Sequence, residues 1–341
     1  MYLRALYIKN LRKYEEAQFL FQSGLNWIVG PNASGKTTVL EALYLLMAGR
    51  SFRTPQMGEL IRHGADYLYL EAVFTKYGLE QTLKFSYDGK ERRIIHNQTT
   101  LPTTTGLLGL LKGVVITPDD AALVKGQPNL RRHFLDMQIA QVDPLYVHHL
   151  TRYAKALQQR NAALRLKKEA GIELWEHELA VSAVYITLQR TRAAVDLERL
   201  GQAMHEQLAG EIFPFGLAYK TAAPTAPAAH DQLKGYYVDL YKRHRKREME
   251  LGFTLAGPHK DDLLIHLDQK EVRHFGSEGQ QRTCVAALKF AEWERVRAAG
   301  DGVPLMMVDD VGVSLDSSRK KRLLEHLETM GQVFLTATEK D

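Results

Sequence analysis

At 341 residues, with 45% hydrophobic and 25% charged positions, the chain has an ordinary globular composition, enough for one large domain or two of usual size. A formal net charge of +5 suits a polyanionic partner without requiring one, and the single cysteine, Cys284, excludes a disulfide framework and fits a reducing cytoplasm. No stretch approaches the ~18–20 uninterrupted apolar residues of a membrane span, and the N-terminus MYLRALYIKN alternates as a strand and lacks a signal-peptide pattern.

Gly24–Val29 is predicted as a short buried strand, and it runs into Gly30-Pro31-Asn32-Ala33-Ser34-Gly35-Lys36-Thr37, a complete G-x-x-x-x-G-K-[ST] loop. Thr38–Ala48 then reads as a helix, so strand, glycine loop and helix follow in the order a phosphate site needs. The glycines let backbone N–H groups turn towards phosphate, and the helix N-terminus adds its positive end. Lys36 is expected to reach the β- and γ-phosphates of ATP, with Thr37 on Mg²⁺ and Thr38 beside it.

Residues 67–97 alternate as strands, with a turn at Tyr87-Asp88-Gly89-Lys90. From about Asp143 to Phe213 the chain is expected to be helical, broken at Gly171 into an antiparallel hairpin. Residues 144–168 contain six Lys or Arg and no acid; Arg152, Lys155, Arg160 and Lys167 share one predicted face. Ala222–His230 reads as a linker, followed by the densest basic cluster, Lys242-Arg243-His244-Arg245-Lys246-Arg247. Each basic set is a candidate DNA contact, and each is also what a solvated helix face looks like. Tyr236, Tyr237 and Tyr241, at helical spacing, are expected in the core. The 13 His lack partners at metal spacing, so no structural zinc is expected.

Gly276-Ser277-Glu278-Gly279-Gln280-Gln281-Arg282-Thr283 precedes a predicted helix from Cys284 to about Ala298. It is a Ser-capped start able to offer N–H groups and a hydroxyl to a second phosphate contact. The apolar run Leu305–Val308 ends in Asp309-Asp310, where a nucleotide site holds Mg²⁺ or polarises water. By itself such an Asp pair reads first as a helix N-cap.

Together these motifs resemble an ABC-type ATPase head, and more narrowly the RecF family. The resemblance includes Gly49-Arg50-Ser51-Phe52-Arg53, Ile116-Thr117-Pro118-Asp119-Asp120, Arg131-Arg132-His133-Phe134-Leu135-Asp136, Gln159-Arg160-Asn161 and Gly257-Pro258-His259-Lys260-Asp261-Asp262. It implies an α/β fold, an ABC-type P-loop head with an inserted α-helical arm lobe. Residues 1–140 and 251–341 would form the ATPase lobe, and residues 141–250 the arm. It also implies that Ser277, Gly279 and Gln280 of one subunit close over the γ-phosphate held by Lys36 of another. The expected activity is ATP-dependent binding of duplex or gapped DNA by a homodimer in recombinational repair, with weak DNA-dependent hydrolysis. RecO and RecR would be partners, and RecA loading and the SOS response the results. An ATP- and DNA-binding scaffold with negligible hydrolysis is the alternative.

Three departures from the family pattern bear on this. Lys260 stands where an Arg is usual, which keeps the charge and loses the planar fork. Val313-Ser314-Leu315-Asp316 replaces the usual Ser-Glu-Leu-Asp, which bears on cross-talk between the two ATP sites. Asp310 is shorter than the Glu of fast ABC ATPases, which points to slow hydrolysis.

Overall fold

The computed structural model describes residues 1–209, 213–224, 230–310 and 317–338. In chain order the first strands and helix are β1 (Tyr2–Leu11), β2 (Tyr14–Leu20), β3 (Gly24–Val29), α1 (Lys36–Ala48), β4 (Leu68–Lys76), β5 (Leu79–Tyr87), β6 (Arg92–His96), β7 (Thr99–Leu101) and β8 (Gly113–Ile116). There follow α2 (Ala122–Lys125), α3 (Pro128–Ala140), α4 (Pro144–Arg165), α5 (Ile172–Ala209), β9 (Phe215–Lys220) and α6 (His230–Leu251). The last are β10 (Asp262–Leu267), β11 (Lys270–Glu271), α7 (Val272–Phe275), α8 (Glu278–Ala298), β12 (Leu305–Val308), α9 (Ser317–Glu328) and β13 (Gln332–Ala337).

Two compact units divide the chain, one of Met1–Ala121, Ala203–Ile212 and Glu278–Asp341, the other of Ala122–Gln202 and Phe213–Ser277. In the first, a parallel sheet runs β3-β13-β12-β8. Its strands are short continuous apolar runs because both faces are covered. Leu305, Met307, Phe334 and Val115 face the core shared with α1 and with β1, β4 and β5. Val114, Met306, Val308, Val333 and Leu335 face the opposite way, onto Ala287, Phe290 and Trp293 of α8 and Leu323 and Leu327 of α9. The antiparallel sheet β2-β1-β4-β5-β6-β7 completes the unit. Strict alternation of buried and half-buried residues along β4 shows one face turned to the core.

The second unit is built on the hairpin of α4 and α5, which turns at Gly171 with φ +80° as a glycine allows. It also contains a small sheet, β11-β10-β9. Buried ionic ties hold it: Arg131 grips Asp262 on β10 with two bonds of 2.7 and 2.9 Å. Arg190 on α5 bonds both carboxylate oxygens of Asp136 and the Pro258 carbonyl. Tyr237 and Tyr241 are core residues, whereas Tyr236 is partly exposed.

The boundaries differ from those at residues 140 and 250. The second unit begins at Ala122 and extends to Ser277, because β10 pairs with β9 and Arg131 ties α3 to β10. It is therefore not purely helical. Helix α8 starts at Glu278, six residues ahead of Cys284, and α4 stops at Arg165, leaving Lys167 beyond it with φ +50°. Within the linker Ala222–His230, residues 225–229 lie outside the described residues.

Candidate nucleotide site and basic surfaces

The glycine loop leaves the parallel sheet beside the end of β13, where the Gly30 N–H donates to the Ala337 carbonyl at 3.2 Å. Within the loop Ser34 N–H donates to Pro31, and Ala33 and Gly35 take φ of +61° and +97°. Gly35 is crowded as well as left-handed: a Cβ there would stand 3.0 Å from Lys13 Cδ and Tyr14 Cε2. A Cβ at Gly30 would stand 2.8 Å from Ser34 Oγ. Lys13 donates to the Ala33 carbonyl and Tyr14 to that of Gly35, so the β1–β2 turn braces the loop. Asn32 is exposed at its tip.

Helix α1 begins on that loop without a side-chain cap and without an acid in its first turn. Its positive end is thus left for an anion. Lys36 folds back, its Nζ donating to the Gly30 and Pro31 carbonyls at 2.6 and 3.0 Å. The Thr38 side chain is buried, so only its backbone belongs to the loop, with N–H donating to the Gly35 carbonyl.

Opposite Thr37 stands the end of β12. Asp309 Oδ1 accepts from Thr37 Oγ1 at 2.9 Å and from Thr336 Oγ1 at 2.7 Å. Thr336, a fully buried hydroxyl near the end of β13, also accepts the Asp310 N–H at 2.7 Å. Asp310 itself is left-handed, φ +58°, a conformation that Asp tolerates better than most side chains. A hydroxyl and a carboxylate meeting at a helix N-terminus fit Mg²⁺, which takes one or two protein oxygens and completes its shell with phosphate and water. Among the described residues no group of three or more His, Cys, Asp or Glu could hold a metal by itself. Thr336 had no signal in the sequence beyond a lone hydroxyl in an apolar strand.

Ser277 directly precedes α8, and Gly279 and Gln280 lie in its first turn. Glu278, in the same turn, is paired with Arg282 at 2.7 Å. The other blocks singled out in the sequence build the scaffold. Glu41 of α1 is fully buried, held by Arg12 and Arg53 and by the Ser51 hydroxyl. Lys289 of α8 is buried beside Asp120 and Glu292. Burial pushes the Cys284 thiol up to about 12, so it stays protonated and inert. Val313-Ser314-Leu315-Asp316 falls outside the described residues.

The basic sets separate sharply. Arg160 is 0% exposed and contacts no solvent: it bonds Thr254, the Tyr241 carbonyl and Glu176, with Glu248 2.6 Å away. It is a core ion, which removes it from the candidate DNA contacts. Arg152 is bound by both oxygens of Glu178. Lys155 and Lys167 are exposed, but Lys167 has left the helix. On α6, Arg245 turns inward to Glu173 and Glu176, whereas Lys242, Arg243, Lys246 and Arg247 are exposed. These four repeat at i and i+4, giving one cationic strip along the helix. No described helix is long and apolar enough to cross a membrane.

Residues 2–341 match the family described as RecF/RecN/SMC N terminal domain. A protein of Protochlamydia amoebophila (strain UWE25), named DNA replication and repair protein RecF, is 52% identical over 340 residues, 99% of this chain and 94% of its own length. The solved structure of the recombination mediator protein RecF-ATP in the RecFOR pathway superposes with a TM-score of 0.93 at 29% identity, covering 100% of this chain and 92% of that one. An Smc head bound to the C-winged helix domain of ScpA shares the fold, with a TM-score of 0.58 at 15% identity, covering 100% of this chain and 90% of that one.

Proposed function

Because the chain belongs to the RecF family, we propose that it is an ATP-binding, DNA-binding protein of replication and recombinational repair that works as an ATP-closed homodimer. The observation that carries this is the meeting of Thr37, Asp309 and Thr336 beneath a complete P-loop, in a chain whose Ser277-x-Gly279-Gln280 opens a second long helix.

In this reading Lys36 exchanges the Gly30 and Pro31 carbonyls for the β- and γ-phosphates, with the loop from Gly30 to Thr38 supplying N–H groups. Thr37 and Asp309 would hold Mg²⁺, which offsets phosphate charge when bound. Asp310 orients water, and Ser277, Gly279 and Gln280 of the second copy close over the γ-phosphate. The cationic strip of Lys242, Arg243, Lys246 and Arg247 would follow the backbone of duplex or gapped DNA, with Arg152, Lys155 and Lys167 as a second contact. Closure grips DNA, and slow, DNA-stimulated hydrolysis releases it. RecO and RecR are the expected partners, with RecA loading and the SOS response as results in the cytoplasm.

The left-handed, one-methylene-shorter Asp310 favours one alternative, a scaffold with negligible turnover. A burst of phosphate with no steady state would select it.

The composite site is tested by mixing. Lys36→Ala lacks the phosphate anchor and Ser277→Arg blocks closure, so each homodimer should be inactive. In a mixed dimer one pocket carries both defects and the other none. With half the dimers mixed and one pocket of two intact, ATPase activity should recover to roughly a quarter of the parent's. Normal hydrolysis by Ser277→Arg alone would refute the composite site.

A further inference from the structure

Of the three tyrosines of α6, Tyr237 and Tyr241 are buried, Tyr237 sharing a hydrogen bond of 2.6 Å with the Thr187 hydroxyl. Tyr236, about 100° round the helix from Tyr237, is half-exposed. Its ring is nevertheless held. Tyr237 meets it edge-to-face with centroids 5.9 Å apart, and the Arg243 guanidinium lies over it at 6.0 Å. Its hydroxyl donates to the Ala222 carbonyl. Arg243 is steadied in turn by donating to the Asp239 carbonyl at 3.3 Å. An aromatic ring and a guanidinium thus stand preformed on the solvent side of a helix.

Gly235 and Asp239, on the same face, are not explained by packing. Gly235 is exposed within the helix, where glycine is disfavoured, and a Cβ there would meet nothing within 4 Å. No contact inside the chain requires the glycine; its effect is a shelf beside Tyr236. Asp239, one turn further on, is exposed among Lys242, Arg243 and Lys246 and forms no ion pair among the described residues. The other acid of the stripe, Glu250, is held by Arg247 at 2.5 Å. A free carboxylate weakens a surface that meets phosphates alone, because like charges repel. Among the described residues Tyr236, Asp239, Lys242 and Arg243 line an open cleft of about 560 Å³, within the range of small-ligand sites.

These groups match a nucleobase. A flat ring and a guanidinium stack on base faces, whatever the base. A carboxylate accepts hydrogen bonds, and the Watson–Crick edge of a base supplies N–H donors, two adjacent ones in guanine. Inside a duplex those donors are taken by the pairing partner and the faces by neighbouring pairs, so an unpaired base alone offers both. From Tyr236 the stripe runs about three turns to Arg247, which puts the cleft at one end of the cationic strip.

We propose that this cleft takes an unpaired nucleotide of a DNA strand whose adjoining duplex lies along Lys242, Arg243, Lys246 and Arg247. The base stacks on Tyr236 and Arg243 over Gly235, and Asp239 accepts from its Watson–Crick edge. Resting as it does on the DNA reading of the strip, the cleft turns a surface for the backbone into one that finds where pairing stops. No bond is made or broken there.

The test is equilibrium binding of the full-length chain, with ATP and Mg²⁺, to a blunt DNA duplex and to the same duplex carrying a short single-stranded extension. The parent should prefer the extended duplex. Tyr236→Ala should cost the extended duplex about five- to a hundredfold in affinity, the range for a lost base stack, and leave the blunt duplex within about twofold. Gly235→Leu favours the helix and fills the shelf, so it should act alike without threatening the fold. Tyr236→Phe keeps the ring and should keep most of the preference. Asp239→Asn should narrow the difference between guanine and thymine as the first unpaired base, because thymine offers a single N–H between two carbonyl oxygens. Equal binding of both duplexes by the parent overturns the inference. So does Tyr236→Ala weakening both alike, or Gly235→Leu keeping the preference. The reading beneath it fails differently: blunt-duplex affinity untouched by changing Lys242, Arg243, Lys246 and Arg247 to Gln takes the strip away from DNA. Weakened blunt-duplex binding in that variant, with a preference that no change in the cleft alters, leaves the strip standing and removes the cleft.

Discussion

Replacing Arg160 by Met separates two roles that a basic residue on a helix can play. The guanidinium is 0% exposed, stacked 5.3 Å from the Tyr241 ring, and shared among Thr254, Glu176, Glu248 and the Tyr241 carbonyl. Met fills much of the volume but leaves two buried carboxylates with one cation fewer. Glu176 keeps Arg245, so the larger penalty falls on Glu248, which retains the Leu255 N–H. Breaking one side of a buried ion pair costs about 3–5 kcal/mol. At roughly 2–4 °C per kcal/mol for a unit of this size, the melting temperature should fall by about 6–20 °C. Adding Glu248→Gln to Arg160→Met should return part of that loss, because the stranded charge is removed with its partner. Calorimetry measures both, and DNA affinity against salt on the surviving folded protein should keep the parent's slope. A melting temperature unchanged in Arg160→Met, together with a shallower salt slope, would refute the core assignment and restore Arg160 to the DNA surface.

Changing Lys242, Arg243, Lys246 and Arg247 to Gln should flatten the log–log salt dependence of DNA binding by about 0.9 for each cation that meets a phosphate, whereas Arg245→Gln should lower stability and leave the slope alone; an unchanged slope in the fourfold variant assigns the strip to solvent. Thr336→Val removes the hydroxyl that serves Asp309 and Asp310 and should weaken Mg²⁺-dependent ATP binding by about five- to thirtyfold, for a loss of about 1–2 kcal/mol; isothermal titration with and without Mg²⁺ gives the number, and equal affinity in the variant would remove Thr336 from the site. Burial holds the His259 imidazole down to about 4, its Nδ1 accepting a hydrogen bond from the Tyr153 hydroxyl and its Nε2–H donating to the Thr254 carbonyl. The unfolded chain therefore binds a proton first, so stability should fall with falling pH between about 6.5 and 4, by up to about 1.4 kcal/mol per pH unit from this group; His259→Gln should flatten that stretch of the acid-denaturation curve, and an unaltered curve counts against it.

What could be read in advance follows from how local each signal is. Residues 24–48 carry strand, loop and helix without a gap; the strand lies where it was expected, and the helix starts at Lys36, two residues ahead of Thr38. Helix α8 was legible only from Cys284, because its first turns, Glu278–Thr283, are polar and carry no apolar period. The burial of Arg160 could not be read from a stretch free of acids, since Glu176 and Glu248 arrive from α5 and α6. The same is true of Arg152 and Arg245, whose carboxylates sit in the opening turns of α5. Residues 251–277 fall in the other compact unit because strand pairing, Leu263 with Tyr219 and its neighbours, and the ion pair of Arg131 with Asp262 tie them there, and neither partner is near them in sequence. Periodicity reports which face of an element is apolar; it is silent on which distant element supplies a partner.

The order β3-β13-β12-β8 has a consequence for how the protein is made. The strand that launches the glycine loop pairs with residues 332–337, which are synthesised long after it, and Leu3 N–H is bound by Gln332 across 329 positions. A nascent chain still lacking β13 has Lys36 and Thr37 but neither Thr336 nor the Ala337 carbonyl that positions Gly30. The nucleotide site of a half-made molecule is therefore incomplete, and contacts of such long range make the sheet slow to assemble. Stabilisation by ATP should therefore become complete only once β13 has been made and the sheet has closed.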